Sequence, residues 1–145
     1  MDLALLGSGE LPIAIELKCG VGRDALGPCA WDALKLALGI HSDALSAGYL
    51  LAATTVADWE SGHRGSELFG TREFEALELR ERYLDWWRQW ERLGDPLPLE
   101  VPRSFTTHAV CRAPFEVEGA SWQVRVAAIS VTDDKRVAWP STLEG

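Results

Sequence analysis

The chain has 145 residues, with 14 Lys or Arg against 22 Asp or Glu, a formal net charge of −8 and 47% hydrophobic residues. This length predicts a single domain over residues 1–145, and no apolar run approaches the ~20 residues that cross a bilayer. No basic segment precedes the first apolar residues, and three cysteines at unrelated spacings favour a reduced protein over a disulfide scaffold. We therefore expect a cytoplasmic protein without a membrane partner. The absence of a basic block argues against a stand-alone, tight nucleic-acid binder.

The first 20 residues predict a β-hairpin. Residues 2–6 form one arm, residues 7–11 form a turn-rich loop, and residues 12–19 form the second arm. The second arm alternates between two faces. One face carries Ile13, Ile15, Leu17 and Cys19, and the other carries Ala14, Glu16 and Lys18.

A helix and a buried strand follow the hairpin. From residue 29 to residue 41, Trp31, Leu34, Leu38 and His41 recur at spacings of three and four, which predicts an amphipathic helix. Residues 48–56 are almost continuously apolar, as is typical of a strand covered on both faces. The order strand, helix, strand predicts an α/β (α+β) fold with a mixed central sheet and flanking helices.

Residues 66–93 predict one long amphipathic helix, which Gly94 and Pro96 would end. Its apolar half includes three tryptophans, namely Trp86, Trp87 and Trp90. They are interpreted either as core filling or as the interface of a homodimer or protein partner, because Trp is an enriched anchor at interfaces.

The remaining residues predict C-terminal β structure. Strands are expected over residues 103–112, 115–117 and 121–131, with a turn at residues 118–120. The last segment, residues 132–145, is expected to be partly ordered at most, with Trp139 as a residue that could dock.

The chemistry suggested by the sequence lies in the first hairpin. A loop over residues 7–11 sets a register in which Asp2 faces Glu16, with Cβ atoms about 5 Å apart and Lys18 on the same face. Two facing carboxylates repel each other unless a proton or cation lies between them. Mg²⁺ prefers one or two carboxylates and completes its coordination with water and phosphate oxygens. The pattern therefore predicts Asp2 and Glu16 as ligands of Mg²⁺ (or Mn²⁺). Lys18 would orient or deprotonate a water, or neutralise charge developing on phosphorus.

The order Asp2, turn, Glu16-Leu17-Lys18, then a helix with Asp32 and Lys35, then an apolar strand, resembles the core of the PD-(D/E)XK nuclease superfamily, the restriction-endonuclease-like fold. The match covers about residues 2–56. The resemblance implies a Mg²⁺-dependent endonuclease that hydrolyses phosphodiester bonds in nucleic acid, with DNA favoured over RNA. It also implies Asp2, Glu16 and Lys18 as the catalytic residues.

Other interpretations remain open. The hairpin could instead be a surface feature with a cross-strand Glu–Lys pair, and Asp32 and Lys35 either pair on the surface or line the same cleft. The family core normally opens with a helix and a strand before the motif Asp, so we expect a longer natural chain, a strand supplied by another segment or subunit, or a degraded site. The rival function is a non-catalytic domain of the same fold that binds itself or a protein partner through the tryptophan-rich helix.

Overall fold

The computed structural model describes residues 2–5, 11–92, 98 and 100–140, with residues 2–5, 90 and 91 described as backbone only. The strands of this part of the chain are β1 (Asp2–Leu5), β2 (Ile13–Cys19), β3 (Ala47–Thr55), β4 (Arg72–Glu75), β5 (Glu100–Pro102), β6 (Ser104–Val117), β7 (Ala120–Ser130) and β8 (Arg136–Ala138). The helices are α1 (Cys29–His41), α2 (Val56–Glu60), a 3-10 turn (Ser66–Phe69), α3 (Ala76–Arg82) and α4 (Leu84–Arg92).

The main sheet has six strands in the order β1-β2-β3-β7-β6-β4, and β5 pairs with β8 in a small second sheet. In the main sheet β2 and β3 run parallel and every other pair of neighbours is antiparallel. Helix α1 makes the crossover between the two parallel strands, as such a connection requires. The predicted fold class, a mixed central sheet with flanking helices, is confirmed.

The first half of the chain follows its local sequence pattern closely. The predicted hairpin register is confirmed, since Asp2 pairs with Glu16 and Leu5 pairs with Ile13. The predicted loop at residues 7–11 lies outside the described residues except for Leu11. Helix α1 has the predicted bounds, and β3 begins and ends one residue earlier than expected.

The single long helix predicted over residues 66–93 is wrong. The segment contains instead the 3-10 turn, strand β4, helix α3 and helix α4. Strand β4 forms because Phe74 pairs with Phe105 on β6, where both rings are buried and stack with centroids 5.6 Å apart. Helix α3 ends before Tyr83, whose hydroxyl accepts from the Gly65 backbone and donates to Glu67. The predicted stop at Gly94 lies outside the described residues.

The strands predicted over residues 103–112 and 115–117 form one strand, β6, and the strand predicted over 121–131 is β7, shifted by one residue. Strand β6 is continuous across residues 113 and 114 and has a bulge between Ala109 and Cys111. Pro114 is tolerated there because β4 pairs only with the start of β6, which leaves the rest of β6 at a sheet edge. Trp139 docks into the core, 7% exposed, against Trp87. The adjoining β8 is regular structure within the segment expected to be poorly ordered; residues 141–145 lie outside the described residues.

The described helices cover one face of the main sheet. Gly48 on β3 lies so close to α1 that an added Cβ would stand 3.1 Å from Leu36, and Trp59 on α2 bonds the carbonyl of Gln123 on β7. Buried and half-buried residues alternate along β3, so the expectation of a strand covered on both faces is wrong. We call the opposite side of β2, β3, β7 and residues 111–117 of β6 the open face.

Candidate active site

The candidate site lies where β2 meets α1. The alternation of β2 turns Glu16 and Lys18 towards the helix side of the sheet, and the three-residue spacing on α1 turns Asp32 and Lys35 back towards them. Both carboxylates are removed from solvent, with Glu16 6% exposed and Asp32 2% exposed. These four residues are called the ion cluster below.

Contacts within the ion cluster are short and reciprocal. The Nζ atom of Lys35 lies 3.2 Å from Oε1 of Glu16 and 3.2 Å from Oδ1 of Asp32. The Nζ atom of Lys18 lies 3.0 Å from Oδ2 of Asp32. Two buried negative charges are therefore balanced by two ammonium groups whose side chains are 27% and 35% exposed.

The electrostatics of the cluster favour the charged form of Lys35. Burial by itself lowers the pKa of Lys35, but Asp32 and Glu16 outweigh burial, so the pKa of Lys35 is raised above its ordinary value. For Cys29, one turn before Asp32 on α1, the same environment disfavours the charged form. Its thiol is 1% exposed, and burial together with the nearby Asp32 carboxylate raises its pKa far above the ordinary value. Cys29 is therefore a neutral core residue rather than a nucleophile.

Of the three site residues predicted from sequence, Glu16 and Lys18 lie in the ion cluster. Asp2 is paired with Glu16 in the backbone register, and its side chain lies outside the described residues. Among the residues described with side chains, no group of three or more His, Cys, Asp or Glu is arranged to hold a metal ion. The assignment of Asp2 and Glu16 as ligands of a divalent cation stays a prediction.

The sequence interpretation underestimated the part that Asp32 and Lys35 of α1 play in the site. The alternative of a surface hairpin is wrong at Glu16, which is buried and contacts Lys35 of α1. Asp32 and Lys35 do form an ion pair at i, i+3, but it lies within the cluster rather than on an isolated surface. The i, i+3 spacing was visible in the sequence; its alignment with β2 was not.

The prediction from sequence did not identify a second polar cluster. Asp58 at the start of α2 accepts hydrogen bonds from the Gly22 backbone at 3.0 Å and from the Thr54 hydroxyl at 2.9 Å, and His63 lies 3.4 Å away. The hydrogen bond from Gly22 is the main cause of a lowered pKa of Asp58, with Thr55, Thr54 and His63 adding to it and partial burial opposing it. This cluster ties the loop after β2 to α2. The one signal for it in the sequence was Thr55 followed by Asp58, which is typical of a helix start.

The tryptophan-rich helix contributes to the core. Trp87 is 1% exposed and makes edge contacts with Trp31 at 5.4 Å and with Trp139 at 5.2 Å between ring centroids. Trp86 packs so closely on Gly27 that an added Cβ would meet its ring at 2.6 Å. Core filling is thus the role of Trp87, while the side chain of Trp90 lies outside the described residues.

Comparisons of the chain with known proteins gave no match. No family model matches it, and neither any curated protein nor any solved structure does. In the described part of the chain, no helix is long and apolar enough to cross a membrane.

Proposed function

We propose that this protein is a Mg²⁺- or Mn²⁺-dependent phosphodiesterase that acts on nucleic acid, with DNA favoured over RNA. The observation that carries the proposal is the pairing of Asp2 with a buried Glu16, two residues from a lysine on the same face of the sheet. The resemblance to the PD-(D/E)XK nucleases rests on the same residues and on the order hairpin, helix, parallel strand.

The ion cluster explains how a buried carboxylate can be kept ready for such chemistry. Lys35 compensates the charge of Glu16 and Asp32 at 3.2 Å from each, so Glu16 is supported as a carboxylate inside the fold. Asp32 in turn holds Lys18 at 3.0 Å and limits where that ammonium can lie. We assign Lys18 to orient the attacking water and to neutralise charge on the phosphate, and Lys35 and Asp32 to positioning.

A divalent cation, when bound, would supply a water of lowered pKa and polarise the phosphate oxygens. Glu16 and Asp2 are the residues assigned to hold it. The net charge of −8 does not oppose such a role locally, because the acids of the cluster are matched by its two lysines.

The test is cleavage of plasmid and single-stranded DNA with Mg²⁺ or Mn²⁺. We expect Glu16→Gln and Lys18→Met to reduce the rate at least 100-fold, the usual scale for losing one electrostatic or acid–base group. Glu60→Gln is the matched control, because Glu60 is exposed on α2. Equal residual activity in wild type, Glu16→Gln and Glu60→Gln would refute the proposal.

A second candidate function is an interaction module that binds a second copy of the chain. The open face favours it over the tryptophan helix, whose Trp87 is buried. By the strand registers, the open face carries no charged residue; its members include Ile15, Leu17, Tyr49, Leu51, Val124, Val126, Trp122 and Phe115. In a chain with net charge −8, this is a surface on which two copies could meet without bringing like charges together.

The size of the open face can be compared with that of known dimer interfaces. Four strands about 4.8 Å apart and roughly seven residues long give a projection of about 500 Å². This is at the upper end of apolar patches on monomers, ~300–600 Å². A stable dimer buries ~800 Å² per partner, so a contact between two copies would extend beyond this apolar patch. Two such faces would pack as aligned sheets.

Sedimentation at rising protein concentration tests this second candidate. We expect wild type to dimerise, Leu51→Glu on the open face to remain monomeric, and Leu77→Glu, an exposed leucine on α3, to behave as wild type. A monomeric wild type at the highest soluble concentration would contradict it.

A further inference from the structure

Two arginines face each other on the helix side of the sheet, away from the ion cluster. Arg112 on β6 pairs with Arg125 on β7 in the strand register. The same row continues through Ala52 on β3 to Lys18 on β2. Three basic residues therefore lie along one line across the sheet, and one of them belongs to the candidate active site.

The arginine pair has no acidic partner in the described part of the chain. Like charges directly opposite each other on neighbouring strands destabilise a sheet. Burial and the neighbouring Arg112 both lower the pKa of Arg125. A protein with a surplus of acids thus keeps two adjacent cations here without a counter-charge, which is the arrangement expected of a site that receives an anion.

Arg125 is held in place by its surroundings. Its Nε atom donates to Oε1 of Gln123 at 2.7 Å, and its guanidinium lies 4.4 Å from the centroid of the Trp59 ring. These contacts leave the terminal amino groups of Arg125 without an acceptor among the described residues. A planar donor that is already oriented loses little entropy when it binds an oxyanion.

A cavity lies beside the pair. Its volume is about 230 Å³, and it is lined by Phe69, Ala109, Val110, Cys111 and the two arginines. The bulge between Ala109 and Cys111 interrupts the β6–β7 pairing at this point. Two guanidinium groups beside apolar walls suit a phosphate group that carries a sugar or base.

We propose that this cavity binds a backbone phosphate of a nucleic-acid strand. The inference rests on the proposed function, because it treats that strand as the substrate of the ion cluster. Two to three strand spacings separate Lys18 from the arginines, roughly 10–14 Å. At ~3.4 Å or more of strand length per phosphate, this corresponds to roughly two to four nucleotides along a single strand.

The experiment measures binding without cleavage. A short fluorescent single-stranded DNA is titrated by anisotropy in EDTA at several salt concentrations, with wild type, Arg112→Gln and Arg88→Gln. Arg112 and Arg88 are both exposed, so neither substitution threatens the fold, and Arg88 on α4 provides the same charge change away from the cavity. We expect Arg112→Gln to weaken binding about 10-fold and to lower the slope of log K against log salt by about 0.7, the value for one phosphate contact. Arg88→Gln should change the affinity less than twofold.

The outcomes separate this proposal from the function it builds on. Glu16→Gln should bind the oligonucleotide as wild type does, and Arg112-dependent binding without cleavage would support the cavity while removing the phosphodiesterase proposal. Equal weakening by Arg112→Gln and Arg88→Gln would overturn the cavity proposal even if cleavage is observed, because binding would then follow bulk charge. Competition by inorganic phosphate should release the oligonucleotide from wild type. Phosphate binding without any oligonucleotide binding would also overturn it.

Discussion

Replacing Asp32 by asparagine is the sharpest structural test of the ion cluster. The substitution keeps the shape of a side chain that is 2% exposed and removes its negative charge. An amide can still accept from one lysine, but its NH₂ group then meets the other ammonium. Lys18 at 3.0 Å and Lys35 at 3.2 Å would both lose their main counter-charge.

The expected loss of stability follows from burial and exposure together. Each charge-assisted hydrogen bond contributes about 1.5–3 kcal/mol, and breaking a fully buried pair costs about 3–5 kcal/mol. The two lysine side chains are 27% and 35% exposed, so water replaces part of what they lose. We therefore expect Asp32→Asn to lower the free energy of unfolding by about 2 kcal/mol, which for a chain of this length lowers Tm by about 4–8 °C.

Chemical and thermal denaturation at pH 7 provide the assay. Asp24→Asn is the matched control, because Asp24 forms an exposed pair with Arg23 at 3.9 Å that contributes little. A difference below about 0.5 kcal/mol between Asp32→Asn and the control would refute the view that the four residues act as one compensated cluster.

The dependence of folding stability on pH in the alkaline range tests the same cluster independently. The pKa of Lys35 is raised above its ordinary value of 10.5 in the folded state, so the folded protein holds this proton more tightly than the unfolded chain does. The resulting stabilisation is complete below about pH 10.5 and is lost as pH rises through the folded pKa. Wild type should therefore lose stability more steeply above pH 10.5 than Asp32→Asn, and parallel curves would contradict the assignment.

Three further substitutions test the packing around the site. Gly65→Ala should abolish or severely impair folding, because Gly65 has φ +97° and an added Cβ would clash with the carbonyl of Leu26; wild-type expression and Tm would disprove this. Trp87→Ala should cost about 3–5 kcal/mol of unfolding free energy in urea titrations, since its ring is 1% exposed, and a loss under 1 kcal/mol would mean that the ring is not in the core. Asp58→Ala should cost about 1–2 kcal/mol at pH 7 through loss of the hydrogen bonds that its carboxylate accepts from Gly22 and Thr54. The pKa of Asp58 is lowered below its ordinary value of 3.8 in the folded state, so the stability cost of Asp58→Ala should shrink as pH falls below 3.8. A cost that does not change with pH would refute the cause given for the lowered pKa.

Much of the candidate site could be read from the sequence because its parts are local. Alternation over residues 12–19 identified Glu16 and Lys18 as same-face neighbours, and the short loop set the register that pairs Asp2 with Glu16. Helix α1 was predicted with its observed bounds, since its apolar spacing needs no information from elsewhere in the chain. The side chain of Asp2 and the metal assigned to it remain predictions.

The register of the arginine pair was present in the sequence but was not used in the prediction. Counting back from the two-residue turn at Glu118 and Gly119, both with positive φ, brings Arg112 opposite Arg125. The sequence interpretation placed the turn at residues 118–120 and divided β6 at residues 113–114, and so lost this register. Pro114 alone did not reveal that its strand becomes a sheet edge.

By itself, the sequence determined the opening hairpin, the crossover helix, the mixed α/β class and the residues that could carry charge chemistry. These follow from periodicity and turn composition, which act over a few residues. Only the tertiary structure decided that Lys35 and Asp32 close on Glu16 and Lys18, that β4 pairs with β6 in place of a long helix, and that the described helices cover one face of the sheet. The reason is that a helix and a strand compete for the same apolar residues, and burial against distant partners such as Phe105 is what selects between them.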